Sequence, residues 1–432
     1  MVMRLDSGAG DFEKRFSDLL TAKREISEDV DAVVREIIDD VRARGDEALI
    51  ELTQRFDRLD LRKAALRVGE AEIDDAIARV DEQTRDALEF AHDRIYAHHE
   101  RQKPKDDLYE DSTGATLGYR WTAVAAAGLY VPGGTASYPS SVLMNAAPAR
   151  VAGVPRIAMV VPTPEGEINP LVLTAARLAG VQEIYRVGGA QAIAALAYGT
   201  ETISPVSVIV GPGNAFVAAA KRQVFGTVGI DMIAGPSEVL VVADAENDPD
   251  WIAADLLAQA EHDVSAQSIL VTDNAEFGTA VTEAVERQLK MLSRGEIAAQ
   301  SWERFGAVIV VGDLDEVPEL VDRVAPEHLE IATENPEYLA GKIRNAGAIF
   351  LGRHTPEVIG DYVAGPNHVL PTARSARFSS GLGVIDFMKR SSILKLTPDA
   401  LAKLAPCAMT LAKAEGLDAH SRSVAIRLNR ER

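Results

Sequence analysis

Pro326-Glu327-His328-Leu329-Glu330-Ile331 sets a carboxylate and an imidazole side by side directly after a proline. A neutral imidazole, with an ordinary pKa near ~6.5, can take a proton from an alcohol at neutral pH, and a carboxylate can activate a water. Gln259-Ala-Glu-His262 has helical character, and its i, i+3 spacing puts Gln259 and His262 on one face. An amide oxygen and an imidazole so placed can begin a metal site, and they equally fit a plain structural helix. Asp361 in Val-Ile-Gly-Asp-Tyr, His368 in Pro-Asn-His, and His420 after Glu415 near the C-terminus add further ligand types. These positions span more than 150 residues, and no H-E-x-x-H or paired C-x-x-C joins them, so spacing alone does not bring them together. His92, His98 and His99 lie in a charged helical stretch and read as solvated, as does His354 beside Arg353.

Two strand-turn-helix junctions could hold a phosphate. Ile184-Tyr-Arg-Val runs into Gly188-Gly-Ala-Gln191, and Val206 to Val210 runs into Gly211-Pro-Gly-Asn214, each followed by an alanine-rich helical pattern. Backbone N–H groups at a helix start favour an anion, but glycines there also serve simply to permit a tight turn. Neither junction completes G-x-G-x-x-G, because Ile193 and Phe216 stand in place of the third glycine. Tyr130-Val-Pro-Gly-Gly-Thr-Ala-Ser-Tyr-Pro-Ser-Ser has the composition of a binding loop.

These residues need a scaffold, and its rhythm is visible. Residues 28–56 and 70–99 carry apolar positions at i, i+3, i+4 spacing, with Val30, Val33, Val34, Ile37, Ile38 and Val41 forming one face of the first. From about 125 onward, short apolar β-rich runs alternate with alanine-rich helical patterns: 156–161, 183–187, 206–210, 239–243, 268–272, 307–311 and 348–351. That alternation predicts βαβ units and parallel sheets. The expected fold class is α/β, with two incomplete Rossmann-like, parallel-sheet lobes and helical extensions at both ends. The expected division is an N-terminal arm at 1–25, one lobe from 26–124 plus 238–385 carrying most of the site residues, an inserted lobe at 125–237, and a helical tail at 386–432.

Composition narrows the function. The 432 residues exceed what one core organises, and 45 Lys and Arg against 65 Asp and Glu give a net charge of -20. Such a surface repels nucleic acid and anionic membrane. The single cysteine, Cys407, forms no intrachain disulfide and fits a reducing compartment. The charged N-terminus lacks a signal-peptide core, and no uncharged apolar run nears the ~20 residues of a membrane span, so a cytoplasmic protein is expected.

Taken together, the motifs resemble the histidinol dehydrogenase family. The matching segments are Tyr130-Val-Pro-Gly-Gly, Val187-Gly-Gly-Ala-Gln191, Val210-Gly-Pro-Gly-Asn214, Gly235-Pro-Ser-Glu-Val, Gln259-Ala-Glu-His262, Ala325-Pro-Glu-His-Leu-Glu-Ile, Ala364-Gly-Pro-Asn-His-Val-Leu-Pro-Thr and Arg377-Phe-Ser-Ser-Gly-Leu. They run in family order from about residue 28 to the end. The resemblance implies a zinc-dependent, NAD-linked oxidation of L-histidinol through histidinal to L-histidine, the last steps of histidine biosynthesis. It implies Gln259, His262, Asp361 and His420 as zinc ligands, Glu327 and His328 as the acid–base pair, and Tyr130, Gln191 and Asn214 at NAD. Ser237, His368 and Glu415 would join those ligands and the acid–base pair around the substrate. It further implies a homodimer in which Glu415 and His420 enter the partner's site. Tyr109, Trp121 and the alanines before Gly128 depart from the family pattern, away from every expected site residue. Two other readings stay open: a sister dehydrogenase of another small polar alcohol such as sulfopropanediol, and a zinc hydrolase in which Glu327 activates water without a nucleotide.

Overall fold

The computed structural model of the chain describes residues 2–22, 28–133 and 138–429. The strands in chain order are β1 (Met3–Asp6), β2 (Asp107–Glu110), β3 (Thr116–Ala123), β4 (Ala127–Tyr130), β5 (Ile157–Val160), β6 (Glu183–Tyr185), β7 (Val208–Val210), β8 (Gly229–Ile230), β9 (Glu238–Ala243), β10 (Gln267–Thr272), β11 (Ala307–Val310), β12 (His328–Ala332), β13 (Ala348–Leu351) and β14 (Met388–Lys395). Two sheets are wholly parallel. One has the order β1-β11-β10-β9-β12-β13, the other β6-β5-β4-β7-β8.

The larger sheet is apolar on both faces because helices cover both. Leu240, Val242, Ile269, Val271, Leu329 and Ile331 meet Phe16, Val317 and Val321 on one side. Val241, Leu270 and Val308 meet Leu256, Phe277, Val281 and Trp302 on the other. Strands buried on both faces read as unbroken apolar runs, which is why β9, β10 and β11 were legible. The smaller sheet lies likewise between two helical layers.

Four features differ from expectation. The N-terminal arm, expected to be helical, also supplies a strand: β1 pairs with β11 as an edge strand, and the helix Phe12–Thr21 buries Phe12, Phe16 and Leu19. Four residues of strand carry too little pattern to read without their partner. Second, the helical stretches placed with the larger sheet bury their apolar faces on the smaller one: Val34, Ile37, Val41 and Leu49 on one side of it, Ile73, Leu88 and Ile95 on the other. Amphipathic spacing tells that a face is buried but not against what. Third, the C-terminal segment opens with a strand, β14, antiparallel to β3 in a small third sheet β14-β3-β2. Arg390 lies over the rings of Tyr119 and Trp121 there, a cross-strand contact absent from any local pattern. Fourth, His99 is fully buried, with Nδ1 on the Ile95 carbonyl at 2.7 Å and Nε2 beside Asn367. It ties the helix Glu82–Glu100 to the 363–367 segment, helped by Arg94, which donates to the Val363 carbonyl. Of the glycine-rich loop after Tyr130, residues 134–137 lie outside the described residues.

Candidate active site

The Glu327-His328 pair sits at the amino end of β12, between β9 and the edge strand β13 of the larger sheet. The chain reaches it through Ala325, whose left-handed φ of 47° ends the preceding helix. A non-glycine residue held in that region stores strain, a cost common at sites that need an exact turn. On the far side Gly347 packs so closely that a Cβ there would lie 2.5 Å from the Glu327 carbonyl oxygen.

One backbone residue orients both members of the pair. The Glu238 N–H donates to Glu327 Oε2 at 2.8 Å, and the Glu238 carbonyl lies 3.1 Å from His328 Nδ1. A carbonyl only accepts, so Nδ1 carries the proton and Nε2 keeps its lone pair. Nε2 looks toward Asp361 Oδ1, 3.9 Å away. Burial pulls the His328 imidazole down to about 4, against the opposing pull of the Asp361 carboxylate. The ring is therefore a neutral base.

Asp361 lies on the short helix Glu357–Tyr362. Its carbonyl oxygen meets His368 Nδ1 at 3.0 Å, and His368 Nε2 faces Ser141 Oγ at 3.4 Å. Burial lowers the His368 pKa as well. The helix Pro249–Ala260 delivers Gln259, and His262 follows just beyond its end, exposed, with its N–H on the Gln259 carbonyl. Gln259 is wholly buried, yet neither its Oε1 nor its Nε2 has a protein partner. An unpaired buried amide is costly unless something completes it. An amide oxygen, an imidazole and a carboxylate form a nitrogen-and-hard-oxygen set that suits zinc. Ser237, one residue before Glu238, is half-buried at the same edge. A cavity of about 270 Å³ opens beside His328 and His368, walled by Phe350, Gly360, Gln102 and His98.

Sequence reasoning missed Glu357. It is buried, its Oε1 lies 4.0 Å from His328 Nδ1, and its Oε2 has no partner. The ligand atoms of His328, Glu357 and Asp361 lie within 4.8 Å of one another. Burial, then the Asp361 carboxylate, raises the Glu357 pKa well above the usual carboxylate range, so it is a neutral acid. The available signal was its i, i+4 spacing from Asp361, which sets both on one face of a helix.

The structure does not bring Glu415 and His420 to this pocket. Both are exposed, Glu415 at the end of the helix Pro398–Ala414 and His420 in the helix Asp418–Ala425.

The NAD candidates stand apart, on the smaller sheet. Tyr130 ends β4, and Gly211-Pro-Gly-Asn214 follows β7, so the two flank the point where strand order reverses from β4-β5-β6 to β7-β8. Crevices at such switch points, at the carboxyl ends of strands, are where open α/β sheets take ligands. The buried Tyr130 hydroxyl accepts the Gly189 N–H at 3.1 Å, next to the buried Gln191. Burial pushes the Tyr130 hydroxyl up to about 12, so it stays neutral. Gly211, at φ 111°, lies so near β4 that a Cβ would come 2.1 Å from the Tyr130 carbonyl oxygen. Its N–H is already taken by Asp231 Oδ2 at 2.8 Å, and Asp231 is paired with buried Lys221. Asn214 Oδ1 caps its helix through the Phe216 and Val217 N–H groups. This second turn is thus braced by the protein's own side chains.

Parallel α/β lobes carrying a buried neutral imidazole with neighbouring carboxylates fit an enzyme of the acid–base class, with a second crevice at the switch point of the smaller sheet. A family model described as histidinol dehydrogenase matches residues 20–428. The chain is 69% identical over 429 residues to histidinol dehydrogenase from Mesorhizobium japonicum, covering 99% of this chain and 100% of that one. Identity is 66% over 429 residues to the enzyme of that name from Brucella abortus, covering 99% and 100%. The crystal structure of histidinol dehydrogenase from Elizabethkingia anophelis superposes with a TM-score of 0.94 at 37% identity, covering 99% of this chain and 98% of that one. The chain belongs to the histidinol dehydrogenase family, NAD-dependent oxidoreductases of the final steps of histidine biosynthesis.

Proposed function

We propose that the chain oxidises L-histidinol to L-histidine through L-histidinal, with two NAD and one zinc site. The observation that carries this reading is the double grip of Glu238, which holds Glu327 and aims the His328 Nε2 lone pair into the pocket of Asp361 and His368. Across both steps one alcohol, one water and two NAD⁺ give one carboxylate, two NADH and three protons.

Gln259, His262 and Asp361 would hold zinc with His420 of the partner subunit, and zinc, when bound, fixes the substrate's amine and imidazole nitrogens. Tyr130, Gln191 and Asn214 would hold NAD, which, when bound, accepts the hydride. His328 Nε2 takes the hydroxyl proton as the carbon loses hydride. Glu327 then deprotonates the water that adds to the aldehyde. Ser237, His368 and Glu415 of the partner subunit close around the substrate. Homodimerisation is supported by the C-terminal helices, which leave Leu411, Leu417 and Ile426 exposed beside Glu415 and His420.

The test is NADH formation from L-histidinol, NAD and zinc, with Gln259→Ala as control. NADH should form, and the variant should bind zinc roughly 10² times more weakly, at the upper end of what losing a metal-site partner costs. NADH from another small polar alcohol, with none from L-histidinol, overturns the substrate. Hydrolysis without NAD overturns the class.

A further inference from the structure

Beneath the site lies a second layer of acids. The carboxyls of Asp255 and Glu330 adjoin, so that a proton held by one can be shared with the other. Glu330 is 3% exposed, and its Oε1 accepts the Glu357 N–H at 2.6 Å. Glu357 is the first residue of its helix, so Glu330 caps that helix start.

The three elements joined here are the same three that deliver the site. On the helix 249–260, Asp255 and Gln259 are i, i+4 and share a face. On β12, His328 and Glu330 are i, i+2 and share a face. On the helix 357–362, the Glu357 backbone is capped and Asp361 follows at i+4. Each element thus gives one residue to the acid layer and another to the pocket one turn or one pleat away. Two adjoining ionised carboxylates repel, so the link exists only while one carboxyl keeps its proton. Burial favours this, raising Glu330 well above its ordinary range and Asp255 to about 6.

We propose that Asp255 and Glu330 are positioning residues, a proton-sharing clamp that fixes the helix of Gln259, the strand of His328 and the helix of Asp361 in register for metal binding. The proposal rests on Gln259, His262 and Asp361 being the zinc ligands. Outer partners of metal ligands typically contribute 10–100-fold to affinity.

The experiment compares Glu330→Gln with Glu330→Leu in the full-length protein. Zinc affinity is read by chelator competition, NAD affinity by titration and folding by thermal melting. Glutamine keeps an oxygen for the Glu357 N–H and offers an amide donor to Asp255, so its zinc affinity should stay within about threefold of wild type. Leucine offers neither, and zinc should bind at least about tenfold more weakly while NAD, on the other sheet, binds unchanged. Should Glu330→Leu fail to fold, Asp255→Ala at the partly exposed end puts the same question, with the same loss expected. Wild-type zinc affinity in the leucine or alanine variant overturns the clamp. Equal losses with Gln and Leu also overturn it, since charge rather than the link between the two side chains would then matter. If the wild-type protein itself binds zinc no better than Gln259→Ala does, the ligand reading fails first, and the two failures are distinguishable.

Discussion

At the amino end of the six-stranded sheet, Glu327, His328 and Glu357 are buried, and His328 with His368 borders a cavity of about 270 Å³. At its carboxyl end a wider crevice of about 550 Å³ is lined by Asp244, Glu246, Asp273, Asp313, Asp315 and Glu334. Strand order reverses between β9 and β12, so topology alone would place a nucleotide at the carboxyl end. The lining forbids it: six carboxylates face the space, with Arg353 on Asp244 and Lys342 on Asp315 as the paired cations. Phosphate would meet uncompensated negative charge. The five-stranded sheet has the same kind of switch point without that acid wall, and it carries the NAD candidates. Strand topology therefore supplies two crevices of the same kind, and side-chain charge is what sets them apart.

The largest expected effects are at the amino end. His328→Asn and Glu327→Gln should each lower kcat by about 10²–10⁴-fold, the range for a lost general base, with melting temperatures near wild type. The two losses should differ in kind. His328→Asn should slow oxidation of L-histidinol more than of supplied L-histidinal, and Glu327→Gln the reverse. Equal losses on both substrates would break the division of labour.

How much of this was legible in the sequence follows from range. The parallel sheets showed in runs such as Val239 to Ala243 because double burial writes an apolar stretch locally. Strand β12 was obscured because its centre is Glu330, a buried acid that breaks the apolar run and whose partner, Asp255, lies 75 positions earlier on another element. Glu238 was unreadable for another reason: it acts through its backbone, which carries no residue signature. The pair itself and the ligand candidates were visible as types and named through family likeness. Their placement was not visible, since nothing local says that the helix 249–260 packs against the helix 357–362. Glu415 and His420 are exposed on the C-terminal helices, and nothing in their local sequence says what they face.

Burial sharpens the comparison through pH. His328 is lowered to about 4 in the folded chain, while an unfolded imidazole titrates near ~6.5. Between these values the unfolded chain binds the extra proton, so the stability contributed by a neutral His328 is complete above about pH 6.5 and is lost as pH falls toward 4. In turnover the free base persists below its ordinary range, and a nearby zinc cation pushes the same way. The acid limb of kcat/KM, measured from pH 4.5 to 8, should therefore fall at least about one unit below ~6.5. A limb centred on the ordinary value would mean that the pocket admits water and that burial is not what sets this base.

The smallest effect should come from the carboxyl-end crevice. Glu246 and Glu334 are exposed acids on its wall, neither of them in contact with the zinc or NAD candidates. Replacing both with glutamine removes two like charges from a crowded surface, where each exposed interaction is worth about 0–1 kcal/mol. Turnover and the KM for NAD should stay within about twofold, and the melting temperature should hold or rise slightly. Asp244 makes a different control, because its carboxylate binds Arg353 at 2.7 Å and the Glu334 N–H at 3.0 Å. Asp244→Asn should therefore lower stability by about 1 kcal/mol without touching kinetics. A fall in the KM for NAD in the double glutamine variant would overturn the contrast between the two ends. It would show that the acid wall alone keeps this switch point from binding a nucleotide, and that the crevice is otherwise shaped to accept one.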